Sequence, residues 1–230
     1  MIRKAANTME FQTAGNTATG YIAIPERGEG PGVLVLHAWW GLNNFFKELC
    51  ERLAREGFVA AAPDLYDGAT ASTIDEAKQL LSNLNFEEAK AKVRSAAGYV
   101  RDHPAVRRKG IGAIGFSMGG AWALLLSSLM PEDILAVVVF YGSEAADFAA
   151  ARAAYLGHFA GNDEWEPLEG IRQMEADMRA AGREVTFYTY QHAGHWFFES
   201  NRPENYDPEA AALAWRRTCD FLRERLSSAE

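Results

Sequence analysis

Cysteine is scarce in this 230-residue chain: there are two, Cys50 and Cys219. They lie far apart, on segments that read as helices, so a disulfide framework is excluded as the source of stability. Two reduced, buried thiols are expected. There is no C-x-x-C pair and no His/Cys cluster, so no metal is expected. Long apolar runs are missing too. No stretch approaches about 18 apolar residues, which excludes a membrane-spanning helix. No such run follows Met1-Ile2-Arg3-Lys4-Ala5-Ala6 either, so no signal peptide is read and a cytoplasmic location is expected. Positive charge is short: 23 Lys and Arg against 31 Asp and Glu leave a net charge of −8. That sign argues against nucleic acid or an anionic membrane as partner. Nothing demands a second subunit, and a monomer is expected.

What remains is an ordinary mixture, 48% hydrophobic and 23% charged, and it is ordered as alternating strands and helices. Strands are read at 8–13 and 18–24, around a turn at Gly15-Asn16. Others are read at 33–36, 58–62, 109–114, 135–140, 152–159 and 184–190. Helical spacing covers 45–56, 73–81, 86–102, 121–130, 167–181 and 208–226. No repeat, low-complexity tract or linker interrupts the order, so one domain is expected over 1–230. Alternation of this kind implies an α/β class, with a mostly parallel sheet and helices on both faces.

Six residues, Gly115-Phe116-Ser117-Met118-Gly119-Gly120, stand between an apolar strand and an apolar helix. G-x-S-x-G in that context puts a serine on a sharp strand-to-helix turn. Glycines on either side keep side chains out of a strained backbone. The following helix start favours negative charge on a reacting oxygen. The plainer alternative is a glycine-rich turn whose serine only caps the helix.

Serine alone is a poor nucleophile. A histidine must take its proton, and a carboxylate must hold the imidazole in one tautomer. Polar residues at the carboxyl ends of strands supply the candidates, and the order serine, acid, histidine selects Ser117, Asp163 and His195. Asp163 competes with Asp147, Glu164 and Glu166. It follows Gly161-Asn162, read as a turn directly after an apolar strand, whereas Asp147 reads as a cap or solvated charge. His195 competes with His192, read as a loop histidine. Gly194 is expected to give the backbone freedom to turn His195 inward. His37, His103 and His158 precede the acid. His103 reads as a helix C-cap and His158 as a hydrogen-bonded core histidine.

Gly115 to Gly120, Ala62-Pro63-Asp64-Leu65-Tyr66, Gly161-Asn162-Asp163 and Ala193-Gly194-His195 together resemble the dienelactone hydrolase family of α/β-hydrolases. The resemblance runs from the first hairpin to the helix carrying Trp215-Arg216-Arg217. It implies an α/β-hydrolase fold, a mostly parallel twisted sheet without a large lid, cleaving a small ester or lactone without metal or cofactor. The family's nucleophile, acid and base fall on Ser117, Asp163 and His195. Its oxyanion donors fall on the backbone N–H groups of Trp39 and Met118. His37, Trp40, Tyr66, Phe116, Trp165 and Trp196 are expected to line the substrate pocket.

Three features depart from the best-known members. They use cysteine where this chain has Ser117. They carry a glutamate where Ala38 stands. Two arginines that hold the dienelactone carboxylate align with Gln79 and Glu199, and Glu199 is expected to repel an anion. Neutral, short or aryl esters and lactones are therefore expected over carboxylate-bearing dienelactones, although Lys78, next to one of these positions, could partly replace a clamp arginine. A general carboxylesterase or thioesterase is the alternative enzyme. A non-catalytic domain binding a small apolar ligand is the alternative of another class.

Overall fold

The computed structural model describes residues 7–107 and 110–227. Residues 1–6 lie outside them, as does Lys109, where the strand before the serine turn is expected to begin. Strands and helices alternate as the periodicity predicts, within two units, Met1–Lys109 and Gly110–Glu230.

In the first unit, β1 (Thr8–Thr13) and β2 (Asn16–Ala23) form the expected hairpin. Its turn residues Ala14 and Gly15 both take positive φ, at 42° and 89°, which matches the twist of the flanking strands. β3 (Gly32–Leu36) and β4 (Val59–Pro63) pair in parallel and are buried at every position, as strands covered on both faces are. β2 joins β4 in antiparallel fashion, giving the order β1-β2-β4-β3. α1 (Asn44–Arg55) buries Phe46, Leu49, Cys50 and Leu53 and packs on β4 and β2. A capping box from Thr73 and Glu76 opens α2 (Ile74–Asn83). The Asn85 side chain caps α3 (Phe86–Asp102), which packs on β1, β3 and β4 and ends at His103 as expected.

In the second unit, β5 (Ile111–Phe116), β6 (Ile134–Phe140), β7 (Ala154–Asn162) and β8 (Val185–Gly194) are parallel neighbours in chain order. Side chains alternate across such a sheet. A Cβ at Gly112 would meet Leu222 and Leu226 of α6 (Pro208–Ser227). Its partner Ala136 shares that face with Val138 and Phe140. The opposite face carries Val139, against which Gly120 of α4 (Met118–Leu129) lies. α4 and α6 therefore cover opposite faces. α5 (Leu168–Ala180) packs on β8. α4 is apolar nearly all round and buries Trp122, Leu124 and Leu126, as an enclosed helix does. It starts three residues earlier than its apolar periodicity shows, with Gly119 and Gly120 in close contact with β5 and β6. Among the described residues no helix is long and apolar enough to cross a membrane.

Two strand ends run past their expected limits. β7 continues through Gly161 and Asn162, which are therefore not a turn, and β8 continues through His192 to Gly194. The pairing register shifts between Ala160 and Asn162, and a Cβ at Gly161 would stand 2.5 Å from the Gln191 carbonyl oxygen. Gly161 is the glycine of a bulge, where only a missing side chain lets two backbones approach.

Gly115 faces a harder version of the same constraint, since a Cβ there would run into the Gly119 carbonyl. Gly115→Ala is expected to cost at least about 3 kcal/mol in chemical denaturation. Gly15→Ala, at positive φ but in open space, is expected to cost about 1 kcal/mol. Equal losses would show that the crowding is not limiting.

Candidate active site

Ser117 stands between β5 and α4 at φ 50° and ψ −117°, a conformation that side chains rarely adopt. Its N–H donates to the Phe140 carbonyl at 2.9 Å, and its own carbonyl accepts from Gly120 N–H at 2.7 Å. A Cβ at Gly142 would collide with the Ser117 backbone. The residue is thus held from both sides. Its side chain makes no capping bond to α4. It points instead to His195, with Oγ 3.0 Å from Nε2.

His195 follows β8 directly. Its Nδ1 lies 2.9 and 2.8 Å from the two Asp163 oxygens. A carboxylate only accepts, so Nδ1 carries the proton and Nε2 is left to accept from the serine hydroxyl. Both side chains are buried, 4% exposed for His195 and 1% for Asp163. Asp163 Oδ1 also accepts from the N–H groups of Trp165 and Glu166, at 2.9 and 3.0 Å. Asp163 and His195 follow Asn162 and Gly194, which are register partners. The left-handed residue of the histidine turn is Trp196, at φ 64°, while Gly194 keeps negative φ. The aromatic residue itself makes the turn expected of the glycine, and its ring stands edge-on to His195 at 4.8 Å.

Asp147 caps the N–H of Ala150, and His192 is exposed on β8. Glu166 accepts from Ser143 Oγ at 2.5 Å, and burial pushes its carboxyl up. His158 is fully buried between Thr218 Oγ1 at 3.1 Å and Tyr190 Oη at 3.0 Å. Burial pushes it down to about 3, so it stays neutral and structural.

The expected pocket residues divide. Trp165 is 41% exposed, with its ring 6.5 Å from His195 and 5.6 Å from Trp196. Phe116 is completely buried and stacked on Phe140 at 4.6 Å, a core residue rather than an open wall. In the first unit, His37 is also fully buried with both ring nitrogens used. Nδ1–H donates to the Ala38 carbonyl at 2.7 Å, and Nε2 accepts from Leu65 N–H at 3.2 Å. The ring ties the loop after β3 to the loop after β4, and burial pushes its pKa down. The Trp40 carbonyl reinforces that tie by accepting from Ala71 N–H. Trp39 and Trp40 are buried and meet edge to face at 5.4 Å, and Tyr66 is half-buried beside His37. Among the described residues no group of three His, Cys, Asp or Glu side chains is arranged to hold a metal ion.

The sequence profile of the dienelactone hydrolase family matches residues 18–226. The chain is 33% identical to the protein usf of Aquifex pyrophilus over 229 residues, 95% of this chain and 98% of that one. It is 31% identical, over 94% of its length and 96% of the relative's, to an Aquifex aeolicus protein provisionally named carboxymethylenebutenolidase. A crystal structure from Klebsiella pneumoniae, provisionally named a dienelactone hydrolase, superposes with a TM-score of 0.83. It shares 24% identity over 94% of this chain and 98% of that one. The architecture is the α/β-hydrolase fold.

Glu199 does not behave as the sequence suggests. It is fully buried, its Oε1 accepts from the Tyr141 hydroxyl at 2.9 Å, and its Oε2 has no hydrogen-bond partner among the described residues. Burial pushes the carboxyl up to about 8, against the opposing effects of the Tyr141 hydrogen bond and the Arg202 charge. At neutral pH it keeps its proton and repels no anion. In the unfolded chain the same group ionises near its ordinary value of 4.5. The stability it contributes is therefore full below about pH 4.5 and is lost as pH rises to about 8. Glu199→Gln, which cannot ionise, is expected to flatten the fall in Tm between pH 5 and 9. Parallel Tm curves for the variant and the parent would refute the assignment.

Proposed function

The chain belongs to the dienelactone hydrolase family, and from that membership we propose a serine hydrolase that opens small ester or lactone bonds through an acyl-enzyme. Ser117 Oγ attacks the acyl carbon while His195 Nε2 takes its proton. The oxygen that gains charge is stabilised at the start of α4, where the Met118 N–H and the helix dipole favour an anion. Collapse breaks the bond to the alcohol oxygen, which receives the proton from His195. Water then repeats the sequence on the acyl-enzyme and frees Ser117. Asp163 holds Nδ1–H throughout and stabilises the imidazolium that forms. The observation that carries the reading is the direction of the Ser117 hydroxyl, which stands 3.0 Å from His195 Nε2 and leaves the helix uncapped.

The substrate reading follows from the groups beside His195. Trp165 offers a partly exposed aromatic face, and Trp196 backs it. Neither position aligned with a carboxylate-binding arginine holds a cation, since these are Gln79 and Glu199. A neutral aryl or short acyl ester fits this chemistry better than an anionic lactone.

Ser117→Ala is expected to lower kcat on an aryl acetate by roughly 10³- to 10⁶-fold, and a phosphonate serine probe is expected to label only the parent protein. A variant keeping a tenth of the activity would remove Ser117 from the mechanism, and an unlabelled parent would favour the ligand-binding reading. For the substrate, kcat/KM for a neutral aryl acetate is expected to exceed that for a carboxylate-bearing dienelactone. The reverse order would return the chain to the lactone as its preferred substrate.

A further inference from the structure

Behind His195 lies a buried polar pair that the proposed chemistry does not use. Tyr141 follows β6 at φ 38°, a conformation costly for a bulky residue. It is held there by its N–H bond to the His158 carbonyl, 2.8 Å. The strained backbone brings the Tyr141 ring against the imidazole, with centroids 4.9 Å apart and ring planes inclined at 56°. Phe197 stands edge-on to the same tyrosine at 5.5 Å. The Tyr141 hydroxyl ends on Glu199. Glu199 lies four residues after His195, and its N–H donates to the Trp196 carbonyl at 2.9 Å. The backbone of Glu199 therefore belongs to the turn that carries the histidine.

We propose that Tyr141 and Glu199 are positioning residues for His195. The tyrosine ring fixes the plane of the imidazole, and the glutamate anchors that ring from the histidine's own turn. This deepens the reading of Ser117, Asp163 and His195 as a triad and rests on it. Asp163 fixes one edge of the imidazole, but an edge contact alone leaves the ring free to tilt. Tyr141 and Trp196 limit that tilt. Proton transfer between Ser117 and a leaving oxygen depends on the tilt, because misplacement by a fraction of an ångström weakens both hydrogen bonds.

Packing alone does not call for this pair. A phenylalanine and a leucine would fill the same space without burying a carboxyl group that has a single hydroxyl partner. Apolar replacements of buried polar pairs are often neutral or stabilising. Retaining the carboxyl spends stability on orientation. Arg202 from the following loop faces both members of the pair, Asp163 from the end of β7 faces Tyr141, and Glu204 lies beside Arg202.

The test measures kcat and KM for a neutral aryl acetate at pH 7. Tyr141→Phe and Glu199→Leu are each expected to lower kcat about tenfold, the weight of one hydrogen bond, with KM within about twofold. Glu199→Gln keeps an acceptor for the tyrosine and is expected to restore kcat to within about threefold of the parent. Parent-like kcat in Tyr141→Phe would overturn the proposal. So would equal impairment of the leucine and glutamine variants, which would mean that shape alone matters. Tyr141→Phe keeps the ring and loses one oxygen, so it carries the test if Glu199→Leu does not fold. Ser117→Ala in the same assay separates the two readings: activity surviving in it would remove the triad, whatever Tyr141 does. An inactive Ser117→Ala beside a normal Tyr141→Phe would remove only this inference.

Discussion

The backbone at Ser117 governs the site. A residue at φ 50° and ψ −117° costs on the order of 1–3 kcal/mol and persists only where its surroundings leave no alternative. Here the surroundings are mostly backbone. Gly115 meets the Gly119 carbonyl, and Gly142 lies against Ser117 itself. Gly120 presses on Val139. Each contact forbids a side chain, and together they fix the strand, the turn and the helix at one spacing. The serine hydroxyl is then aimed by the main chain rather than by a flexible side chain, which is the precision that proton transfer requires.

Around this turn the second unit is apolar, and its few buried polar groups come in pairs or clusters. Ser127 and Tyr155 share a hydrogen bond of 2.8 Å, and His158 joins Thr218 to Tyr190. Arg217 lies over the Tyr188 ring at 3.6 Å and donates to the Tyr190 hydroxyl. Two histidines of one sheet thus differ by their neighbours. His158 has both nitrogens occupied by neutral hydroxyls and is locked into the core. His195 has a carboxylate on one nitrogen and a serine on the other.

Much of this was legible in the residues. The strands of Val, Ile, Ala and Leu, the glycine pattern around Ser117 and the order of acid and base name the fold class and the three side chains now found together. What was not legible depends on tertiary contact. Gly161 looks like a turn, yet it is a bulge because Gln191 of the next strand passes too close for a side chain. Gly194 looks like the flexible joint, yet Trp196 turns the chain, since packing on His195 holds it there. Glu199 reads as a charge that repels an anion, and only its burial under Tyr141 turns it into a neutral group. Phe116 lies beside the serine in sequence, but alternation along β5 sends its ring to Phe140.

The pairing of Asn162 with Gly194 gives the acid and the base a shared frame. Both are the next residue beyond a matched pair of strand ends, so the distance between them is set by the sheet and not by the chain that links them. Within the linking chain, α5 and its far end are free to lengthen, shorten or change sequence without altering the contact, whereas Trp165 and Glu166, which donate to Asp163, and β8 are not. One residue gained or lost between the bulge and either strand end would instead carry one partner past the other by about 3.3 Å. Tolerance of insertions is therefore divided sharply within this unit: permissive on the outer helix, and nil in the few residues before Asp163 and His195.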